Sequence, residues 1–201
     1  MKTAAVESEP GGKQRNAGVI RQDIRCFTMM RKNFYFLTLI ILAVDHLTKW
    51  YAVKVLAPGP SIEVIPGFLR FSYVENTGVA FGLFDSVDSV LKPYILGAVA
   101  LAAIVIIHFL IARASPERKL LKVSLAVMLG GVWGNFIDRI LRKFVVDFIE
   151  VHFRDAFHWP NFNIADSAIT IGVILLLIDT FRNPETQKGS DQQKAEPVSG
   201  S

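Results

Sequence analysis

The stretch that decides the fold is Tyr94–Ala112, YILGAVALAAIVIIHFLIA, in which His108 is the one acidic or basic side chain. At about 1.5 Å per residue it reaches across the roughly 30 Å of a hydrocarbon core. Three further runs read the same way: Phe34–Val53, Leu120–Ile137 and Ile164–Phe181, each with its polar residues gathered at one end. The chain carries 22 Lys and Arg and 18 Asp and Glu, yet these collect at the chain ends and in the connections. A soluble all-helical domain of this length would scatter charge along every helix to keep one face wet. The expected fold is therefore an all-α membrane protein, a bundle of four transmembrane helices.

Charge also sets the expected orientation. The N-terminal arm holds seven basic residues (Lys2, Lys13, Arg15, Arg21, Arg25, Arg31, Lys32), the short connection 113–122 holds four, and the C-terminal end holds Arg182, Lys188 and Lys194. The other two connections, 54–93 and 138–163, hold three and four basic residues, diluted by acidic ones. The positive-inside rule then places both termini in the cytoplasm and connections 54–93 and 138–163 outside. The same rule accounts for the net charge of +4, so no nucleic-acid partner is expected. Cys26 is the single cysteine and excludes an internal disulfide. With no H-E-x-x-H and no second cysteine, a dedicated zinc site has weak support.

Three segments follow from composition. Residues 1–30 read as a flexible basic arm, 31–182 as the membrane-embedded domain, and 183–201 as a disordered tail rich in Gln, Ser and Lys. The arm with its following apolar run is not read as a cleaved signal peptide, because the run is too long and lacks a small-x-small exit. In connection 54–93, Phe68–Val74 is rich in β-branched and aromatic residues and is bracketed by Pro66-Gly67 and Asn76-Thr77-Gly78. It predicts a small periplasmic β-sheet between helices 1 and 2. Connection 138–163 carries Phe157, His158, Trp159 and Pro160, an aromatic cluster suited to a lipid–water boundary.

With that topology the polar residues inside the spans converge on the outer half of the membrane. Asp45 and Lys49 are one turn apart on helix 1. Asn135, Asp138 and Arg139 share a face at the end of helix 3, after the glycines of Gly130-Gly131-Val132-Trp133-Gly134 that allow close helix approach. Asp147 follows within Val146-Asp147-Phe148, and Asn163, Asp166, Ser167 and Thr170 form a stripe at the start of helix 4. Ionisable groups cost about 2.5–3.5 kcal/mol each at a span centre on insertion scales, so they turn inward and mark function. The apolar neighbours of Asp147 disfavour its charged form. Asp166, in a first helical turn, has free amides and the helix dipole to favour a carboxylate. Two carboxylates in unlike surroundings are what an aspartyl protease uses. The bland readings are an Asp45–Lys49 structural pair, an Asp138–Arg139 salt bridge, a helix cap at Asp166, packing for His108 and loop positions for His152 and His158.

The blocks Asp45-His46-Leu47-Thr48-Lys49, Asn76-Thr77-Gly78-Val79-Ala80-Phe81, Gly134-Asn135-Phe136-Ile137-Asp138-Arg139, Val146-Asp147-Phe148 and Phe162-Asn163-Ile164-Ala165-Asp166-Ser167 resemble, in order, those of bacterial lipoprotein signal peptidase, also called signal peptidase II. The resemblance covers about residues 30–182, with His46 where Gln is common and Val79 where Ala is common. It implies an aspartyl endopeptidase of the inner membrane, active near the outer face without metal or cofactor. The enzyme would remove the signal peptide from diacylglyceryl-modified prolipoproteins just before the lipidated cysteine. It implies Asp147 and Asp166 as the catalytic pair, with Asp45, Lys49, Asn76, Gly78, Asn135, Asp138, Arg139 and Asn163 supporting them or touching substrate. Expected partners are lipid-modified prolipoproteins and membrane lipid; since one chain supplies every group, a monomer is expected. The rivals are a proton-coupled transporter, disfavoured because the acidic groups lie towards one face only, and a non-enzymatic assembly factor. No G-x-S-x-G, G-x-S-G or G-x-G-D motif occurs, so other intramembrane protease classes fit poorly.

Overall fold

In the computed structural model, residues 11–78, 90–153 and 157–183 are described, with side chains from residue 33 onward. Four helices are present: α1 (Gly11–Val55), α2 (Lys92–Arg113), α3 (Lys119–Arg142) and α4 (Ile164–Arg182). Each contains a stretch long and apolar enough to cross a membrane, and α2 has the highest mean hydropathy, 2.8 against 1.4 for Asn33–Val55 of α1. That ranking follows from polar content: α1 carries Asp45 and Lys49, whereas α2 carries His108 alone in its apolar stretch.

Exposure is inverted relative to a water-soluble protein. Leu47, Val99, Val105 and Phe181 are 60–79% exposed, while Asp45 and Lys49 are 0% exposed. Lipid solvates the first set; the second must find partners within the protein. The bundle is organised around α3, which packs against α1, α2 and α4, whereas α2 packs mainly on α3 and meets α1 through His108 and Tyr35. Ile104, Ile107 and Ile111 of α2 meet Leu125 and Leu129 of α3. Elsewhere glycines set the approach. A methyl at Gly130 would strike Ile41 and the Thr38 carbonyl, and one at Gly131 would strike the Ala165 carbonyl. Thr38 Oγ1 donates to the Ala126 carbonyl at 2.9 Å, so α1 and α3 are also tied by a direct hydrogen bond.

One end of the bundle bears a four-stranded antiparallel sheet in the order β1 (Ile62–Ile65), β2 (Leu69–Asn76), β3 (Val145–Phe153), β4 (Phe157–His158). The strand predicted at 68–74 is β2. The sheet extends beyond the connection between helices 1 and 2, because β3 comes from the connection between helices 3 and 4 and pairs Val74 with Asp147 and Asn76 with Val145. The sequence reading marks an aromatic cluster in that second connection but assigns no strand to it. Its strand shows no alternation because Val145, Val146, Asp147 and Phe148 are buried on both faces. Val146 and Phe148 pack on Ala52 and Leu56, so the sheet rests on the end of α1.

Residues 11–30, expected to be a flexible arm, are helical and continuous with the first span. No proline follows Pro10 before the span, and extending an existing helix avoids a new nucleation step. The predicted tail beyond Asn183 and residues Val79-Ala80-Phe81 lie outside the described residues.

Candidate active site

Four elements converge where the sheet meets the bundle. α3 delivers Asn135, Asp138 and Arg139 on one face and ends at Lys143, whose left-handed backbone (φ 68°) turns the chain into β3. β3 then places Asp147 opposite Val74, within reach of Asn76 at the end of β2. α4 begins with a capping box: the Asn163 side chain accepts from the Asp166 amide at 2.9 Å, and the Asp166 carboxylate accepts from the Asn163 amide at 3.2 Å.

Asp147 is 1% exposed and both of its oxygens are occupied. Asn76 Nδ2 donates to Oδ2 at 2.8 Å and Asn163 Nδ2 donates to Oδ1 at 2.7 Å. Burial pushes the Asp147 carboxyl up to about 6; the Asp166 charge adds to the rise, while the two amide donors oppose it. Asp166 is half-buried, and its Oδ1 accepts from Asn135 Nδ2 at 2.7 Å. Asn163 therefore bonds to both aspartates at once.

Behind this pair lies a charged cluster closed to solvent. Lys49 Nζ is 2.8 Å from Asp45 Oδ2 and 3.0 Å from Asp138 Oδ2, and it donates to Asn135 Oδ1 at 2.9 Å. Asp45 Oδ1 accepts from the Ala165 amide at 2.9 Å, and Asp138 Oδ2 from the Val146 amide at 3.3 Å. These are the residues immediately before Asp166 and Asp147. Gly134 makes room for this contact, since a methyl there would lie 3.0 Å from Asp45 Cγ and closer still to Oδ2. Asp138 thus pairs with Lys49, and at 3.7 Å with Arg142, rather than with the adjacent Arg139. Arg139 instead donates to the Asn135 carbonyl at 3.2 Å and lines the open side.

The open side is a cleft of about 540 Å³. Asp166, Ser167, Thr170 and Ile171 line it from α4, Arg139 from α3, Asn76 and Gly78 from the end of β2, and Trp159–Phe162 from the strand-to-helix connection. That connection is pinned by Asn161 Nδ2 to Ser72 Oγ at 2.7 Å and by pairing of Phe162 with Ile149. The sequence reading placed Trp159 and Pro160 at a lipid boundary and did not foresee them as a wall of the cleft. Their signal was position, directly before the Asn163 cap. Ile171 carried no signal beyond its place one turn after Ser167.

His46 sits at the edge of the charged cluster, its Nδ1 3.8 Å from Asp45 Oδ2, while the other three histidines lie apart from this centre. His108 stacks on Tyr35 with ring centroids 5.5 Å apart. His152 and His158, expected in loops, occupy β3 and β4 and stack on each other at 5.6 Å. Among the described residues no group of three or more His, Cys, Asp or Glu side chains is arranged to hold a metal ion.

Four apolar spans around a buried charged cluster, with Asp166 and Arg139 open to the adjoining cleft, define a multi-pass membrane protein. The profile described as Signal peptidase (SPase) II matches residues 37–182, and the chain belongs to that family. A lipoprotein signal peptidase of Clostridium tetani is 42% identical over 134 residues, covering 67% of this chain and 83% of the relative. One from Listeria welshimeri is 35% identical over 156 residues, covering 78% and 97%. A solved structure described as a bacterial membrane enzyme, obtained by the in meso method at 2.3 Å, superposes with a TM-score of 0.64 at 29% identity and covers 83% of this chain and 94% of that one.

Proposed function

We propose that this chain is an aspartyl endopeptidase that removes the signal peptide from diacylglyceryl-modified prolipoproteins, cleaving before the lipidated cysteine, with Asp147 and Asp166 as the catalytic pair. The observation that carries the reading is the shared tether: Asn163 donates to Asp147 and caps the helix turn that bears Asp166. Family membership supports the peptidase assignment, and the relatives' name supplies the substrate class.

Two carboxylates this close to one amide hold a single proton between them, because the second ionisation is opposed by the first charge. The ionised member takes a proton from a water lying in the cleft mouth. That water attacks the scissile carbonyl, while the protonated member donates to the carbonyl oxygen. Proton transfer to the amide nitrogen and collapse of the tetrahedral species release the signal peptide. Asn76, Asn135 and Asn163 keep the carboxylates oriented; Arg139 and Gly78, on the cleft wall, face the substrate backbone. Asp45, Asp138 and Lys49 support the pair from behind. Lys and Arg distribution supports both termini in the cytoplasm, with the cleft near the outer face of the inner membrane. A substrate anchored by two acyl chains in the outer leaflet would reach it there, and a monomer suffices.

The test is cleavage of a diacylglyceryl-prolipoprotein by the purified chain in detergent. Wild type should release a fragment ending just before the modified cysteine, and Asp147→Asn and Asp166→Asn should be folded and inactive. Wild-type activity in either variant would refute the assignment.

A further inference from the structure

Lys49 is fully buried, and an ammonium can only donate. Of its three contacts, the one to Asn135 carries consequences beyond charge balance. Asn135 presents its amide oxygen to Lys49 Nζ at 2.9 Å and its amide –NH2 to Asp166 Oδ1 at 2.7 Å. An amide can rotate and exchange these two ends. Asn163 Nδ2 also meets Asn135 Oδ1, at 3.2 Å, but it is shared with Asp147 Oδ1 at 2.7 Å and the Val146 carbonyl at 3.3 Å, and it is itself an amide. The ammonium is the partner that cannot be inverted.

We propose that Lys49 is a positioning residue that acts on Asp166 through Asn135, fixing the amide so that a donor, never an acceptor, faces the Asp166 carboxylate. This rests on Asp147 and Asp166 being the catalytic pair. Without the ammonium, Asn135 can turn its oxygen towards Asp166. Two acceptors then face each other, and the arrangement holds only when Asp166 carries a proton. The aspartate pair thereby loses one of its fixed hydrogen-bond donors, and Asp166 is left with the Asn163 backbone N–H alone.

The experiment measures kcat, KM and the kcat–pH profile of the purified full chain in detergent on a diacylglyceryl-prolipoprotein, for Lys49→Met and for Lys49→Met combined with Asp45→Asn. The second variant removes one buried cation and one buried anion together. It retains an oxygen for the Ala165 amide, which guards against simple misfolding. Both variants should lose roughly 10- to 100-fold in kcat, as removal of supporting partners commonly does. KM should stay within about twofold, and the acid limb of the profile should move to higher pH; because the Lys49 charge itself lowers the Asp147 pKa, the double variant, which loses one cation and one anion together, is the one that reads the route through Asn135. Wild-type kcat and an unmoved acid limb in the folded fraction of either variant would overturn the proposal. So would failure of both to fold, which would leave Lys49 as a requirement of the fold alone. Asp147→Asn and Asp166→Asn measured alongside separate the two ideas: activity in either of these refutes the catalytic pair itself.

Discussion

Replacing Asp147 by Asn should abolish cleavage and yet stabilise the protein increasingly as pH rises. Burial lifts this carboxyl from 3.8 to about 6, because the ionised form is poorly solvated there. At about 1.36 kcal/mol per pH unit, that difference is on the order of 3 kcal/mol. Below pH ~4 the group is protonated in both folded and unfolded chains and contributes nothing. Between about 4 and 6 the unfolded chain ionises while the folded chain retains its proton, so wild-type stability falls through that window and levels off above it. Asn cannot ionise and escapes this fall. The variant amide has one acceptor where Asp147 has two, so either Asn76 or Asn163 loses its partner. That cost is constant with pH. The informative quantity is the change in the stability difference, about 3 kcal/mol in the variant's favour between pH 4 and pH 7. Unfolding in mixed micelles at several pH values, followed by the fluorescence of the three tryptophans, measures it. A difference that stays flat over this range, or moves in wild type's favour as pH rises, would refute the argument that burial governs this carboxyl.

Gly134→Ala should cost about 1–3 kcal/mol of stability by overpacking, because the added methyl would lie 3.0 Å from Asp45 Cγ and 3.2 Å from Ala165 Cβ and would force the carboxylate off Lys49. Gly97→Ala, whose methyl would meet only Ile140 Cδ1 at 3.9 Å, should be tolerated, and thermal unfolding in detergent compares the two. Asn163→Asp keeps an N-cap acceptor for the Asp166 amide but sets an acceptor in place of the donor to Asp147, Asn135 and the Val146 carbonyl in a fully buried site, so it should lower the melting temperature and lose at least about tenfold in kcat. Asn163→Ala should lose about 1 kcal/mol of stability as well as activity. Wild-type turnover in Asn163→Asp would show that the amide donor is dispensable.

The spans could be read in the sequence because hydrocarbon thickness imposes a length and an apolar composition on each helix, independent of what the helix packs against. The polar convergence was legible for a related reason: Asp45, Asn135, Asp138 and Asn163 sit among apolar neighbours that cannot solvate them. β3 was not legible, since period-2 alternation arises only when one face is wet, and Val145–Phe148 are buried on both. Partnership was equally hidden. Asp138 is adjacent to Arg139 in sequence, yet Lys49 on another helix reaches it at 3.0 Å, because the α1–α3 packing brings the ammonium between two carboxylates. Asp179, at the far end of α4, is another case of hidden partnership. It is 2% exposed and is held by Arg118, which precedes α3, and by Asn183. Such a pairing depends on which helix ends meet, information that no local pattern carries.

The choice of partner explains how one small polar core can be both stable and reactive. A buried carboxylate needs compensation, and an ammonium compensates most strongly. Asp45 and Asp138 receive that treatment: both sit on Lys49, and each grips the backbone amide that precedes one of the two proposed catalytic residues. Asp147 and Asp166 are treated differently. Their hydrogen-bond donors are the neutral amides of Asn76, Asn135 and Asn163, with the Asn163 backbone. An ammonium directly on either would hold it ionised across the physiological range and remove its capacity to carry a proton. Neutral donors orient a carboxylate while leaving its charge free to change. The cation is therefore placed one residue away from the chemistry, where it fixes the geometry of the pair without deciding that the pair must stay charged.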